Sequence, residues 1–120
     1  MNDTVQFDES VYQILRSELG EEDALEVLKT FLEDTASKLP KIALKFEDRA
    51  EMRREAHSIK SSAATFGFSA LSRLARDLEA GAASMDIAQM REFVEKLQQA
   101  FEAVARFSET NLLTSGDTAA

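Results

Sequence analysis

Residues 51–67 read EMRREAHSIKSSAATFG, and the spacing inside this stretch decides the fold. Met52, Ala56, Ile59, Ala63 and Phe66 are separated by four, three, four and three positions, the interval at which an α-helix returns side chains to one face. They predict a single apolar stripe turned towards a core. His57, the only histidine in the chain, is off that stripe. Its neighbours one helical turn away are Arg53, Lys60 and Ser61, with Ala64 a turn further on. The spacing thus presents an imidazole outward, between cations, on a patch kept low by small side chains. Two readings of that histidine are open. It is a solvated helix residue, as exposed polar residues on helices usually are, or it is a nucleophile. Histidine forms covalent intermediates, and positive charge beside an imidazole favours the neutral ring that carries the lone pair. Arg53 and Lys60 would supply such charge and would also hold an incoming phosphoryl group. Periodicity does not choose between the two.

The same period extends in both directions. Asp8 is a candidate cap for a short helix carrying Val11, Ile14, Leu15 and Leu19, which Gly20 would end. Glu21, Glu22 and Asp23 then suit a helix N-terminus, and Leu25, Leu28, Leu32, Thr35, Leu39, Ile42 and Phe46 form a long seam. Pro40 interrupts that seam; a proline inside a helix costs about 3 kcal/mol, so a kink or break is expected between Ser37 and Pro40. Asp48 with Glu51 restarts the chain as the histidine helix, which Gly67 ends. Ser69 is a candidate cap for the next helix, with Leu71, Leu74, Ala75, Leu78 and Ala82 as its stripe. Asp86 with Gln89 caps a last helix built on Met90, Val94, Leu97, Phe101 and Val104, with Phe93 and Phe107 widening its face. Short connections make neighbouring helices antiparallel. The expected fold is therefore all-α, an antiparallel up-and-down four-helix bundle with a short extra N-terminal helix. The bundle is expected to occupy residues 1–110 and a flexible tail residues 111–120.

Composition narrows the function classes. One hundred and twenty residues suffice for one domain. The chain has no cysteine, so disulfides and thiolate metal sites are excluded. No apolar run is long enough to span a bilayer and no signal-peptide pattern opens the chain, so a cytoplasmic protein with no membrane partner is expected. Against the net charge of −8, residues 51–80 stand at +1: five Lys and Arg there face four Asp and Glu. A duplex-binding protein needs a basic stripe, so nucleic acid is not expected as a partner. A locally cationic face on an acidic body suits a partner with an acidic pocket.

Several chemistries fail on the residues available. A di-iron bundle needs a glutamate three positions before each of two histidines, and Arg54 stands there before the only one. One imidazole without thiols serves zinc poorly, so no metal site is expected. Ser61 with His57 lacks the orienting carboxylate of a hydrolase on its own helix, where Arg53 stands instead. No phosphate-cradling glycine loop is present, and the phenylalanines fall at core spacing.

His57, Lys60, the run of small residues after it, Gly67, Leu71, Leu74, Leu78 and Glu79 together resemble the signature of the histidine-containing phosphotransfer (HPt) domains of bacterial multistep phosphorelays. In that family a lysine follows the histidine by three positions, a glycine comes next, and a second glycine stands ten past the histidine. Ser61 departs from the pattern at the first glycine. The resemblance runs from Phe31 and Leu32 to Phe107. It implies a helical bundle with the histidine on its second bundle helix. It also implies a phosphoryl carrier, not an enzyme in its own right, in which His57 takes the group from a receiver aspartate and passes it to another. Response-regulator receiver domains and a hybrid histidine kinase are the implied partners. No cofactor is implied on this chain, magnesium being expected on the receiver. Lys60 would offset phosphoryl charge, Ser61 and Ala64 would leave clearance, and Gly67 would end the helix near the docking surface. Arg53 and Arg54 join this set by position only. The alternative is a helical bundle that docks acidic partners without chemistry.

Overall fold

The computed structural model describes residues 4–113, and these are helical almost throughout. Helix α1 spans Glu9–Leu19, α2 Glu21–Ile42, α3 Arg49–Phe66, α4 Ser69–Gly81 and α5 Ile87–Ser108, followed by a π-helical turn at Glu109–Leu113. Helices α2, α3, α4 and α5 pack in a closed ring, each against the next and α5 back against α2, while α1 lies against α2 and α3. The core runs along the inside of that ring. Met52, Ala56, Ile59, Ala63 and Phe66 are all buried, so this stripe faces inward as its spacing requires. Ala56, Ala63, Ala75 and Ala82 are fully buried, and side chains this small let helix axes approach closely. Accordingly α3 and α4 have the most extensive packing of any pair.

The predicted caps hold at Asp8, which accepts from the amides of Ser10 and Val11, and at Asp48, which accepts from Glu51. At Asp86 and Gln89 the full reciprocal box is present. Ser69 does not cap α4. It is the first helical residue, and its amide donates to the carbonyl of Gln6 while that of Ala70 donates to Val5. The N-terminal segment, carried across by the antiparallel bridge between Phe7 and Phe68, supplies acceptors a local side chain would otherwise provide. Phe66, Phe68, Phe31 and Phe101 gather beneath this crossing, with ring centroids 5.1 Å apart for Phe31 and Phe66 and 6.0 Å for Phe66 and Phe68.

Three expectations about apolar faces are corrected. In α1 the buried residues are Tyr12 and Leu15, while Ile14 is 58% and Leu19 42% exposed. The short helix turns its aromatic ring inward against Phe7, with centroids 5.8 Å apart. In α2 the buried line is Ala24, Leu28, Phe31, Thr35, Leu39 and Ile42, with Leu25 and Leu32 only half-buried at its edge. Phenylalanine at 31 reaches the aromatic cluster, which rotates the helix from the all-leucine line. The helix also runs unbroken through Pro40 and ends two residues later, so Phe46 is not part of a continuing seam. Pro40 forgoes the one hydrogen bond that an amide there would give to the carbonyl of Ala36, and the helix ends within the following turn. Phe46, half-buried in the connection that follows, lies under the guanidinium of Arg91 at 5.6 Å.

The π-helical turn carries residues 111–113, and Leu112 and Leu113 pack against the core. Residues 111–113, expected as the start of the tail, are therefore ordered against the core, and the remainder of that tail, 114–120, lies outside the described residues. Among the described residues no helix is long and apolar enough to cross a membrane.

Candidate functional site

Two packed helices build the site. His57 projects from the middle of α3, and Glu79 projects from the last turns of α4, 22 residues later in the chain. Tight packing between the two helices puts the imidazole Nδ1 2.8 Å from Oε2 of Glu79, while Oε1 of the same carboxylate lies 2.8 Å from Nζ of Lys60. One carboxylate therefore bridges both residues singled out by the motif. Ser72 anchors the arrangement from α4, its hydroxyl donating to the carbonyl of Lys60 at 3.1 Å. At the other end of the hairpin Arg49 donates to the carbonyls of Ala82 and Met85, both at 2.6 Å, tying the end of α4 to the start of α3.

The hydrogen bond from Lys60, and then that from His57, hold the Glu79 carboxyl below its ordinary pKa against an opposing contribution from burial. It is ionised near neutrality and can only accept. The hydrogen between it and the ring must then sit on Nδ1, and in the neutral imidazole this leaves the lone pair on Nε2. Nε2 makes no hydrogen bond with the described residues, and the side chain is 60% exposed. The arrangement is that of an oriented nucleophile: a carboxylate fixes the ring and its tautomer from behind, and the reactive nitrogen faces outward.

The environment differs from a histidine set between cations. The group that touches the ring is an anion, and the ammonium of Lys60 is neutralised by it. Arg54 is turned away to Glu51, the residue three before it. Arg53 has no hydrogen bond or ion pair among the described residues and lines a shallow depression with Ala50, Arg54, His57 and Glu79. Ser61 and Ala64 are exposed on the same helix, and the Ser61 hydroxyl makes no hydrogen bond among the described residues, while its carbonyl accepts from Thr65 at 3.0 Å. Gly67 stands apart. Ten residues beyond His57 at about 1.5 Å each, it is roughly 15 Å along the helix axis. It is buried, and its φ of +86° places it in the left-handed region. A Cβ there would come within 2.4 Å of the Asp8 carbonyl oxygen. The structural demand for glycine at 67 is thus a helix cap beneath a crossing strand.

Glu79 is the residue to which reading the sequence attached no role, although it belongs to the motif. Its position beside the apolar Leu78 signals a helix flank and nothing more; only the pairing of α3 with α4 brings it to the histidine. Among the described residues no group of three or more histidine, aspartate or glutamate side chains is placed to hold a metal ion.

The helical scaffold presents one oriented, exposed imidazole with a lysine a turn away. The family model of the Hpt domain matches residues 26–107, and the chain belongs to that family. Hpt domains serve histidine phosphotransfer in phosphorelays and interact there with receiver domains. Neither a curated protein nor a solved structure matches the chain.

Proposed function

We propose that the protein is a phosphorelay carrier whose phosphorylated residue is His57. Nε2 attacks the phosphorus of an aspartyl phosphate on a receiver domain, the N–P bond forming as the bond from phosphorus to the aspartyl oxygen breaks. The ring keeps its Nδ1 proton, and the Glu79 carboxylate beside it balances the positive charge the imidazole acquires. The reverse step, onto the aspartate of a second receiver, returns the ring to its neutral tautomer. Lys60 neutralises charge on the phosphoryl group, and Ser61 and Ala64 leave room for the incoming aspartate. Arg53 contributes positive charge at the edge of the same face, while Arg54 is paired with Glu51. In this reading the four long helices form an antiparallel up-and-down bundle that serves as a rigid mount. The catalytic side chains and magnesium belong to the receiver, the first of them part of a hybrid histidine kinase. The carrier needs no cofactor of its own, and it works in the bacterial cytoplasm.

The observation that carries this reading is the 2.8 Å contact from Nδ1 to Glu79, which orients the ring and leaves Nε2 facing outward. The test is transfer of labelled phosphate from phosphorylated receiver domains to the protein. Label that is acid-labile and alkali-stable in the wild type, and absent from His57→Gln with unchanged helicity and melting, is the expected result. Acceptance of phosphate by His57→Gln would refute the assignment, and failure of the wild type with every receiver of the source genome would favour the non-catalytic docking bundle.

A further inference from the structure

Beside the histidine lies a second depression, and it is lined by Arg53, Arg76, Glu79, Ala80 and Ala83. It shares Arg53 and Glu79 with the depression at His57, so the two are continuous. Along α4, Arg76, Glu79 and Ala80 follow one another at three and one positions and so occupy one helical face, with Ala83 in the turn just past the helix end. From Arg76 to Ala80 that face advances four residues, about 6 Å along the axis. Arg76 stands at one end, and Arg53 reaches in from α3 beside the other. The floor between them is two alanine methyl groups, low enough for another molecule to lie on.

Among the described residues neither guanidinium is held by another helix. Arg53 has no partner among the described residues. Arg76 touches only its neighbour Asp77, through Nε at 3.6 Å, and is 60% exposed, which leaves the terminal nitrogens of its fork free. The cations elsewhere around the site are engaged: Lys60 with Glu79, and Arg54 with Glu51. Two uncommitted arginines bordering one small-residue groove, in a chain of net charge −8, run against the field of the protein as a whole. An arginine fork matches a carboxylate in geometry and charge.

We propose that the groove is a docking clamp for acidic side chains on the receiver domain, with Arg53 and Arg76 gripping Asp or Glu residues that flank the receiver's phosphorylation site. The clamp rests on the carrier reading above for the identity of its partner. Arg76 lies outside the depression that holds His57, so the clamp sets which receivers dock and how fast they arrive.

The experiment measures affinity separately from chemistry, on the full chain. Purified receiver domains of the source genome are titrated against the wild type, Arg53→Glu, Arg76→Glu and Arg76→Lys at two salt concentrations, and transfer is timed in parallel. Each charge reversal is expected to weaken the Kd for an acidic-rimmed receiver by about tenfold or more and to flatten its salt dependence, with Arg76→Lys intermediate because it keeps charge and loses the fork. The rate of transfer at saturating receiver is expected to be unchanged in Arg76→Glu and Arg76→Lys. Wild-type affinity in both reversals overturns the clamp and leaves the carrier reading intact. A shortened phosphohistidine lifetime with normal affinity also overturns it, assigning the arginines to the phosphoryl group. Binding weakened as expected without transfer in any protein would sustain the clamp and sink the carrier reading. Absence of any receiver that binds the wild type removes both.

Discussion

Replacing Gly67 by alanine separates a structural role from a docking one. At φ +86° an alanine carries the left-handed penalty of about 1–2 kcal/mol. Its Cβ would also sit 2.4 Å from the Asp8 carbonyl oxygen, so the N-terminal segment has to move. That movement weakens the 2.7 Å hydrogen bond from the Asp8 amide to the Gly67 carbonyl, a loss of about 0.5–1.5 kcal/mol. It also disturbs the acceptors that Gln6 and Val5 offer to the first amides of α4. The combined destabilisation is about 2–4 kcal/mol, which for a chain of this size lowers Tm by about 8–16 °C. Urea unfolding followed by helical circular dichroism checks the figure, and the same preparation at low temperature is assayed for phosphotransfer. Folded Gly67→Ala is expected to transfer at the wild-type rate, since the perturbation is roughly 15 Å along the helix from the ring. Unchanged stability would refute the packing argument; a stable, folded variant that no longer transfers would return Gly67 to the docking surface.

Three further outcomes probe the bridge and its surroundings. In Lys60→Ala the Glu79 carboxyl loses the largest of the contacts that depress its pKa, so its titration, read from the side-chain carbonyl 13C shift, is expected to move up towards the ordinary value; an unmoved titration would show that the ion pair is not formed in solution. Because the folded-state pKa of Glu79 is the lower one, its contribution to stability is present above the ordinary carboxylate pKa and is lost as pH falls through the depressed value. Wild type and Glu79→Gln should therefore converge in stability in acid and separate above it, and a constant difference across that window would contradict the sign. Ser61 lies one turn beyond His57 and is exposed, so Ser61→Leu is expected to block transfer in a folded protein while Ser61→Gly keeps or raises the rate at a small cost in stability; normal transfer by Ser61→Leu would mean that receivers approach from elsewhere.

What the sequence determined by itself was periodic or local. The stripe from Met52 to Phe66 required α3 and its inward face, because a run of apolar side chains at helical spacing has only one way to leave water. The caps at Asp8, Asp48 and Asp86 were equally legible, since a cap is formed with amides two or three residues away. So was the outward placement of His57, which follows from its being off the stripe. Tertiary structure decided the rest. The face that α1 buries turned on Tyr12 meeting Phe7, and the line that α2 buries turned on Phe31 joining rings from three other parts of the chain. The start of α4 is satisfied by backbone carbonyls more than sixty residues upstream, where no local pattern could announce them. Most consequentially, the carboxylate that orients the histidine comes from the next helix. In the sequence Glu79 is one acid among twenty-two, and only the close packing of α3 on α4, made possible by small buried residues, places it against both the imidazole and Lys60.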